Sequence, residues 1–415
     1  MSGTSYVERG HSLRAAGAAM TAAARPARQD TGPTAAAAAP RRIRVLLVIS
    51  NLEYGGAQRQ VVELANNFDP ARVEVHVCSM SSYIPLAREL DLPEGRVHVV
   101  EKRSRFDLMV VPQLARLLRR LQIDVVHGYL FDAEVAVRLA GRLARTALVA
   151  GSERNTDYTL KRVQHVAYRL TRSQVDLIIA NSNAGAAFHS GMLGHDRSMY
   201  RVIHNGVDTV KFAPRDRVEA RQRLGLQPDD AVIGMFASFK RQKNHPLLFA
   251  AAKELLARVP RLRLLLVGDQ LHGGMHGSSD YKVRTEALID ELGLRERCVL
   301  LGNRDDVELI YPACDVTALP SLFEGTPNVA LESMACAVPV VATDVADNAL
   351  VVPDGQAGFI VPLGDHRLMA DRLERVLHDA DGAARMRQFT RDWVTREFST
   401  ARLAEKTEAV YREWL

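Results

Sequence analysis

The sequence predicts an α/β protein built of two doubly wound domains, and three observations carry that expectation. Short apolar runs of β type alternate with helical patterns over residues 42–392, as in a parallel sheet with helices on its faces. The alternation lapses in a polar, proline-containing stretch over 205–216 and restarts at Ala231. A chain of 415 residues, 47% of them hydrophobic and 25% charged, suffices for two cores. The boundaries expected are a leader at 1–41, a first domain at 42–210, a second at 211–392 and a terminal helix at 393–415.

Composition narrows the function classes. The four cysteines, Cys78, Cys298, Cys314 and Cys336, are scattered without paired spacing, three of them in apolar runs where a reduced thiol acts as a small core residue. That favours a reducing compartment and offers no metal site. Every hydrophobic stretch is broken by charge within about a dozen residues, short of the ~20 that a membrane-spanning helix needs. A net charge of +5, mostly arginine, permits attraction to anionic lipids or phosphorylated ligands without identifying either. The leader is rich in Ala, Arg and Pro and has no apolar core of the secretory kind, so it reads as disordered.

The first domain opens with the apolar run 43–49, then a loop holding Gly55, Gly56 and Gln58, then the helical pattern 59–68. A strand feeding a Gly-Gly turn into a helix is how a doubly wound domain begins. It is not the G-x-G-x-x-G of dinucleotide enzymes, which removes the main support for a dehydrogenase. Gly55 and Gly56 serve either a tight turn with close helix packing or a ligand that approaches the backbone. Strands follow at 73–78, 97–99 and 124–127, with a helix at 108–121. His127 ends its strand at the carboxyl edge, where ligands of open parallel sheets sit. The strand from Leu148 ends in polar residues, of which Arg154 either holds an anionic acceptor or pairs with Glu153 at the surface. The helical run 161–172 carries Val163, Val166, Ala167 and Leu170 on one face, expected to pack on the domain's own core, with basic residues on the others. A strand at 175–180 and a helix capped by Asn181-Ser182 follow.

The second domain restarts with a strand at 231–237 and the loop Ser238-Phe239-Lys240-Arg241-Gln242-Lys243, before a helix reaching Ala257. Three cations in four positions at a strand's carboxyl end suit the negative charge that develops on a departing diphosphate. A strand at 264–267 ends in Gly268-Asp269. In the loop 270–280, His272 and His276 sit on no helix, which speaks against a metal site. A strand at 299–301 leads to Gly302-Asn303-Arg304 and a helix ending at Ala313. Residues 316–343 then form a strand, loop, helix and strand unit around which the rest is organised. Its loop contributes Glu324 and its helix, 328–336, contributes Glu332 eight residues on. Pro327 suits the first helical position, where a missing N–H costs nothing. The free amides of such a helix start, around Gly325, Thr326 and Asn328, together with the helix dipole make a seat for a phosphate or diphosphate. A carboxylate beside that seat accepts two hydrogen bonds from a ribose diol. A last strand at 358–361 precedes the amphipathic tail.

Glu324-Gly325-Thr326-Pro327-Asn328, Glu332-Ser333-Met334-Ala335 and Pro339-Val340-Val341-Ala342-Thr343 together resemble the E-x7-E signature of family-four retaining glycosyltransferases. Arg201-Val202-Ile203-His204-Asn205-Gly206-Val207-Asp208 resembles that family's hinge signature, and the likeness runs over essentially all of 42–415. It implies two Rossmann-like domains facing a central cleft, the glycosyltransferase B fold, with the terminal helix crossing back to the first domain. It implies that Glu332 holds the donor ribose, that Glu324 orients the donor sugar, and that Lys243 and the amides around 326–328 stabilise the leaving diphosphate. The sequence departs from the family at several points. Ser238 stands where the family has arginine, so either Lys240 or Arg241 supplies the second charge or Lys243 acts alone. Gln58 replaces an acid in the Gly-Gly loop that faces donor and acceptor, where Arg154 is a further acceptor-side candidate. His127-Gly128-Tyr129 replaces a His-x-His whose histidine approaches the donor sugar, and Gly268 belongs to a Val-Gly-Asp that lacks the family's next glycine. Arg304 falls where the family borders the nucleotide base.

The reaction so implied is transfer of a sugar, with retained anomeric configuration, from a UDP-sugar or GDP-mannose type donor to an acceptor hydroxyl. In such enzymes the diphosphate oxygen takes the acceptor proton and no protein nucleophile is required. There is no Asp-x-Asp signature and no glycosidase-like carboxylate pair, so no metal and no cofactor beyond the nucleotide-sugar substrate is expected. The partners expected are the donor and a lipid-linked or saccharide acceptor of bacterial cell-surface polysaccharide or glycolipid assembly, with no nucleic acid. A basic surface would touch anionic lipid at the inner face of the plasma membrane, from the cytoplasm. Two alternatives stay open: a nucleotide-sugar epimerase of the same fold, and a non-catalytic nucleotide-sugar-binding protein. The presence of both Lys243 and Glu324 argues for an enzyme.

Overall fold

The computed structural model describes residues 41–104, 107–154, 160–269 and 278–415. Residues 1–40 of the expected leader and the loop with His272 and His276 lie outside the described residues. Seven strands form the first sheet: β1 (Ile43–Ile49), β2 (Val73–Ser79), β3 (Val97–Val99), β4 (Val125–Tyr129), β5 (Leu148–Glu153), β6 (Leu177–Ala180) and β7 (Tyr200–Val202). Six form the second: β8 (Ala231–Phe236), β9 (Leu262–Val267), β10 (Cys298–Gly302), β11 (Val316–Leu319), β12 (Val340–Thr343) and β13 (Gly358–Val361). The orders are β3-β2-β1-β4-β5-β6-β7 and β10-β9-β8-β11-β12-β13, with parallel pairing throughout. Each sheet begins at its centre and reverses direction there. Such switch points open a crevice at the carboxyl ends of the central strands.

Burial on both faces explains the near-continuous apolar strands. In β1, Val45, Leu47 and Ile49 join a cluster with the helix Gly56–Asn67, while Leu46 and Val48 join another with the helices Val110–Leu121 and Phe131–Ala144. All five side chains are fully buried, and each contributes about 1.5–3 kcal/mol of transfer free energy. The second sheet repeats the device, with Val232 and Phe236 on one face and Ile233 and Met235 on the other.

Three expectations need correction. β7 is a three-residue edge strand inside the stretch read as hinge, too short to show a period. The tail is two helices, Ala380–Glu397 and Thr400–Trp414, because Phe398 ends the first and the Ser399 hydroxyl caps the second by accepting from the Arg402 amide. The second of these does cross back, packing on Gly56–Asn67 with Leu403, Ala404 and Tyr411 in the first domain's core. The helix Arg162–Thr171 is turned the other way from its expected packing: it buries Tyr168 and Thr171 and leaves Val163, Val166 and Leu170 at 52, 56 and 75% exposure. Tyr168 decides this, since its ring meets Phe131 edge-on at 5.1 Å and lies under the Arg138 guanidinium at 4.6 Å.

The chain passes between the sheets twice, side by side. Val207 donates its amide to the Phe398 carbonyl at 2.8 Å, and the Thr400 amide donates to the Val207 carbonyl at 3.1 Å. Gln60 grips Gly206 through both its amide and its carbonyl, at 3.0 and 2.9 Å. A Cβ on Gly206 would come within 3.0 Å of Thr400 Cα, so glycine is what lets the two crossings touch. No helix among the described residues is long and apolar enough to cross a membrane.

Candidate functional site

The switch point of the second sheet lies between β8 and β11, and the loops that follow them are tied together. After β8 the chain makes a tight turn over Arg241–Lys243, and Asn244 takes a left-handed φ of +52° to launch the helix His245–Leu255. Gln242 then donates its side-chain amide to Phe323 O at 2.8 Å and accepts the Leu322 amide at 2.8 Å on its carbonyl, while Asn244 Nδ2 donates to Pro320 O at 3.1 Å. These bonds aim Lys243 at the next loop. Lys243 Nζ lies 2.5 Å from Glu324 Oε1, which also accepts from Ser321 Oγ at 2.6 Å. Glu324 is 6% exposed. Burial and the neighbouring Lys243 lower the Lys240 ammonium below its ordinary pKa, with Glu324 opposing. Lys240 therefore shares the field of this pair, whereas Arg241 is exposed. Ser238 contributes a carbonyl to the Lys240 amide at 2.9 Å. Gly268 underpins the same loop: at φ +133° a Cβ there would lie 2.3 Å from Ala237 O.

The helix Asn328–Ala335 starts directly after this loop. Pro327 occupies the N-cap rather than the first helical position, and its carbonyl accepts the Ala330 amide. Glu332, one turn in, accepts from Tyr311 Oη at 2.8 Å. Burial holds its carboxyl above the usual range, although the Tyr311 bond, Arg59 and Lys211 pull the other way. Arg59 and Glu63 of the first domain, Asp208 of the hinge and Asn328 surround it. Gly56 faces the Asn328 amide at ordinary contact, and Gly325 approaches Asn181 so closely that a Cβ would meet its Oδ1 at 2.6 Å. Gly55 is extended, and its missing side chain leaves space to Gln58, whose Nε2 donates to Asn51 Oδ1 at 2.7 Å.

Several contacts that bridge the two halves were not foreseen from sequence. Arg154 Nη2 donates to Asn205 Oδ1 at 2.6 Å, and Asn205 Nδ2 donates to Asn328 Oδ1 at 2.6 Å. The Thr326 hydroxyl accepts the Asn205 amide at 3.2 Å and donates to the Asn181 carbonyl. A relay thus runs from the first domain's arginine to the start of the candidate donor helix. Burial lowers the Arg154 pKa, with Tyr129 and Glu153 opposing, and its guanidinium lies 5.9 Å from the centre of the Tyr129 ring. Asp347 accepts from the Asn183 and Ala184 amides and from His204 Nε2, at 2.7, 3.3 and 2.8 Å. Beyond Arg154, Thr326 and the Asn181 cap, the Asn-Gly of the hinge motif was the signal for this network.

Two candidates are engaged by partners of their own. His127 is 1% exposed with both ring nitrogens engaged, Nδ1 to Tyr411 Oη at 2.6 Å and Nε2 to Ser152 Oγ at 2.7 Å. Burial, reinforced by Arg154, lowers its pKa to about 3, so it stays neutral. Its two ring contacts pin the terminal helix to the first sheet. Arg304 forms an exposed two-pronged pair with Asp306, at 2.8 and 2.6 Å. Among the described residues no group of three or more His, Cys, Asp or Glu is placed to hold a metal ion.

Two family models match the chain, Glycosyltransferase Family 4 over residues 54–211 and Glycosyl transferases group 1 over residues 216–393. A Nocardia farcinica protein named D-inositol 3-phosphate glycosyltransferase is 34% identical over 360 residues, 79% of this chain and 77% of that one. The chain belongs to the family-four glycosyltransferases. Glycosyl transfer is therefore its chemistry. Another protein of the same name, from Mycobacterium sp. (strain KMS), is 34% identical but aligns over only 52% of this glycosyltransferase and 47% of itself. The putative glycosyltransferase EpsD of Bacillus subtilis is 25% identical across 82% of this chain and 90% of its own. Among solved structures, Anabaena Alr3699/HepE in complex with UDP superposes with a TM-score of 0.78 at 21% identity, over 89% of this chain and 100% of that one. That likeness establishes the glycosyltransferase B fold for this family-four glycosyltransferase.

Proposed function

We propose that this glycosyltransferase is a retaining, metal-independent enzyme that moves a hexosyl group from a nucleoside diphosphate sugar to an acceptor hydroxyl. The observation that carries the reading is the Lys243–Glu324 pair at a switch point, next to a helix start and followed one turn later by Glu332. Lys243, with Lys240 beside it, neutralises the diphosphate as the bond from the sugar C1 to the diphosphate oxygen breaks. The acceptor oxygen bonds to C1 on the same face, and its proton passes to the departing diphosphate oxygen. Glu324 orients the sugar and Glu332 takes the ribose diol. A uridine donor is favoured by the structural neighbour, which was crystallised with UDP-glucose. Work in cell-surface polysaccharide or glycolipid assembly on the cytoplasmic side fits this chemistry.

The test is thermal stability against a panel of nucleoside diphosphates and their sugars, in chelator. A ligand of the native state at a hundred times its Kd adds about 2.7 kcal/mol. The unaltered chain should be stabilised by one diphosphate and its sugars, and Glu332→Gln should need at least ~10-fold more of them for the same effect. No stabilisation by any donor, or an undiminished response in Glu332→Gln, would sink the assignment.

A further inference from the structure

Tyr311 lies in the tight turn Tyr311–Ala313, just ahead of β11, and is fully buried. Its ring stacks on Phe236, the last residue of β8, with centroids 3.8 Å apart and planes 19° from parallel. The hinge residue Phe212 meets the same ring edge-on at 6.1 Å. These two neighbours fix where the hydroxyl points, and it points at Glu332 Oε2, 2.8 Å away. Neither neighbour needs that hydroxyl. Phenylalanine would fill the space as well, and a buried phenol is costly unless it is hydrogen-bonded. The hydroxyl is therefore explained by what it does to Glu332.

The bond has two effects. It sets an angle, because the last torsion of a glutamate is broad and a donor on a clamped ring narrows it. No other hydrogen bond reaches this carboxylate among the described residues, so Oε1 and the second lone pair of Oε2 are left for a ligand. It also favours the charged form. Burial pushes the Glu332 carboxyl up; Tyr311 opposes that most, ahead of Arg59 of the first domain and Lys211 of the hinge, while Glu308 adds to the rise. Charge matters here because an ionised carboxylate only accepts, and so takes both hydroxyls of a cis-diol, whereas a protonated one presents a donor to one of them.

We propose that Tyr311 is a positioning residue that sets the selectivity of the donor site for ribose over 2′-deoxyribose, acting through Glu332. Being fully buried, it touches no ligand itself. The inference rests on Glu332 as the carboxylate that holds the ribose. A site built to hydrogen-bond a hydroxyl rejects the analogue lacking it, because its own polar group is then left unpaired. That rejection is sharp only while the carboxylate is charged and held at one angle, which is what the Tyr311 hydroxyl secures. The diphosphate is common to both nucleotides, so the ratio of their affinities isolates the ribose contact.

The experiment titrates the full chain by calorimetry with UDP and 2′-deoxyuridine diphosphate, and with GDP and its 2′-deoxy form. The unaltered chain should prefer the ribonucleotide of one pair at least tenfold, about 1.4 kcal/mol. Tyr311→Phe should cut that preference below threefold, with affinity for the deoxy form within twofold of the original. Glu332→Gln should lose the preference too, and adding Tyr311→Phe to it should change neither affinity more than twofold, since the hydroxyl then has no carboxylate to hold. That double variant carries no stranded charge, so it reads the coupling even if Tyr311→Phe alone does not fold. A tenfold preference kept in Tyr311→Phe, or an equal loss for both nucleotides, overturns the proposal. So does a tenfold weakening of the ribonucleotide by Tyr311→Phe in the Glu332→Gln background. No preference in the unaltered chain, or one that survives Glu332→Gln, instead refutes the ribose role of Glu332 and takes that of Tyr311 with it.

Discussion

Lys243 and Glu324 are expected to be coupled twice, once in stability and once in catalysis, and a double substitution separates the two. Lys243→Met leaves Glu324, 6% exposed, with Ser321 still donating but the adjoining Lys243 ammonium removed. Stranding one half of a buried ion pair costs about 3–5 kcal/mol. For a domain of this size each kcal/mol moves the midpoint by roughly 2–4 °C, so the single variant should melt about 10 °C lower. Adding Glu324→Gln removes the stranded charge and should restore most of that loss. Turnover behaves differently, because the diphosphate has lost the Lys243 ammonium in both variants. Removal of one such group typically lowers kcat about 100- to 1,000-fold, and the double variant should not recover it. Calorimetric melting, with single-turnover transfer from the donor that stabilises the unaltered chain best, reads both quantities. Equal stability of the single and double variants would refute the pair as drawn. A Lys243→Met enzyme within threefold of the original kcat would refute leaving-group stabilisation by this lysine.

Three further outcomes follow from the geometry. Burial and Asp208 push Glu63 up to about 7 from an ordinary 4.5, so the folded chain holds that proton more firmly than the unfolded one; stability falls as pH rises from 4.5 to 7 and stays lower above it. Glu63→Gln should therefore be neutral at pH 4.5 and stabilising by about 1–2 kcal/mol at pH 8, a discount on the full shift for partial exposure, checked by urea midpoints at both pH values. Tyr411→Phe strands the buried His127 Nδ1 and should cost about 1–3 kcal/mol with kcat changed less than twofold; a hundredfold loss of kcat at unchanged stability would return His127 to the reacting centre. Gly268→Ala forces a Cβ against Ala237 O and should destabilise by at least about 1–3 kcal/mol in thermal melts, the range of backbone strain at special positions.

Most of the framework was legible because its signals are local. The alternation of apolar runs marked twelve of the strands to within two residues, and the strand, loop, helix unit around Glu324 and Glu332 declared itself by glycine and proline placement. What escaped depends on tertiary competition. The stripe of Val163, Val166 and Leu170 is as regular as any core face, yet Tyr168 and Thr171 took the inward side. His127 stands at a ligand edge, but Tyr411, 284 residues away, closes over it. Asn205 and Asp347 act through hydrogen bonds between segments far apart in the chain, which no periodicity encodes.

The paired crossings at Val207 and Ser399 limit how this molecule can breathe. A lone linker would let one half swivel, slide and tilt independently. Two chain segments laced by backbone hydrogen bonds behave like the knuckles of a door: they permit swing about the line joining them and resist shear and twist. Admission of donor and expulsion of spent diphosphate would then share one coordinate, the same arc travelled in opposite directions. A substitution that loosens Gly206 or Gln60 would let the leaves wobble, and the penalty would show as misalignment of acceptor and sugar rather than as slower opening.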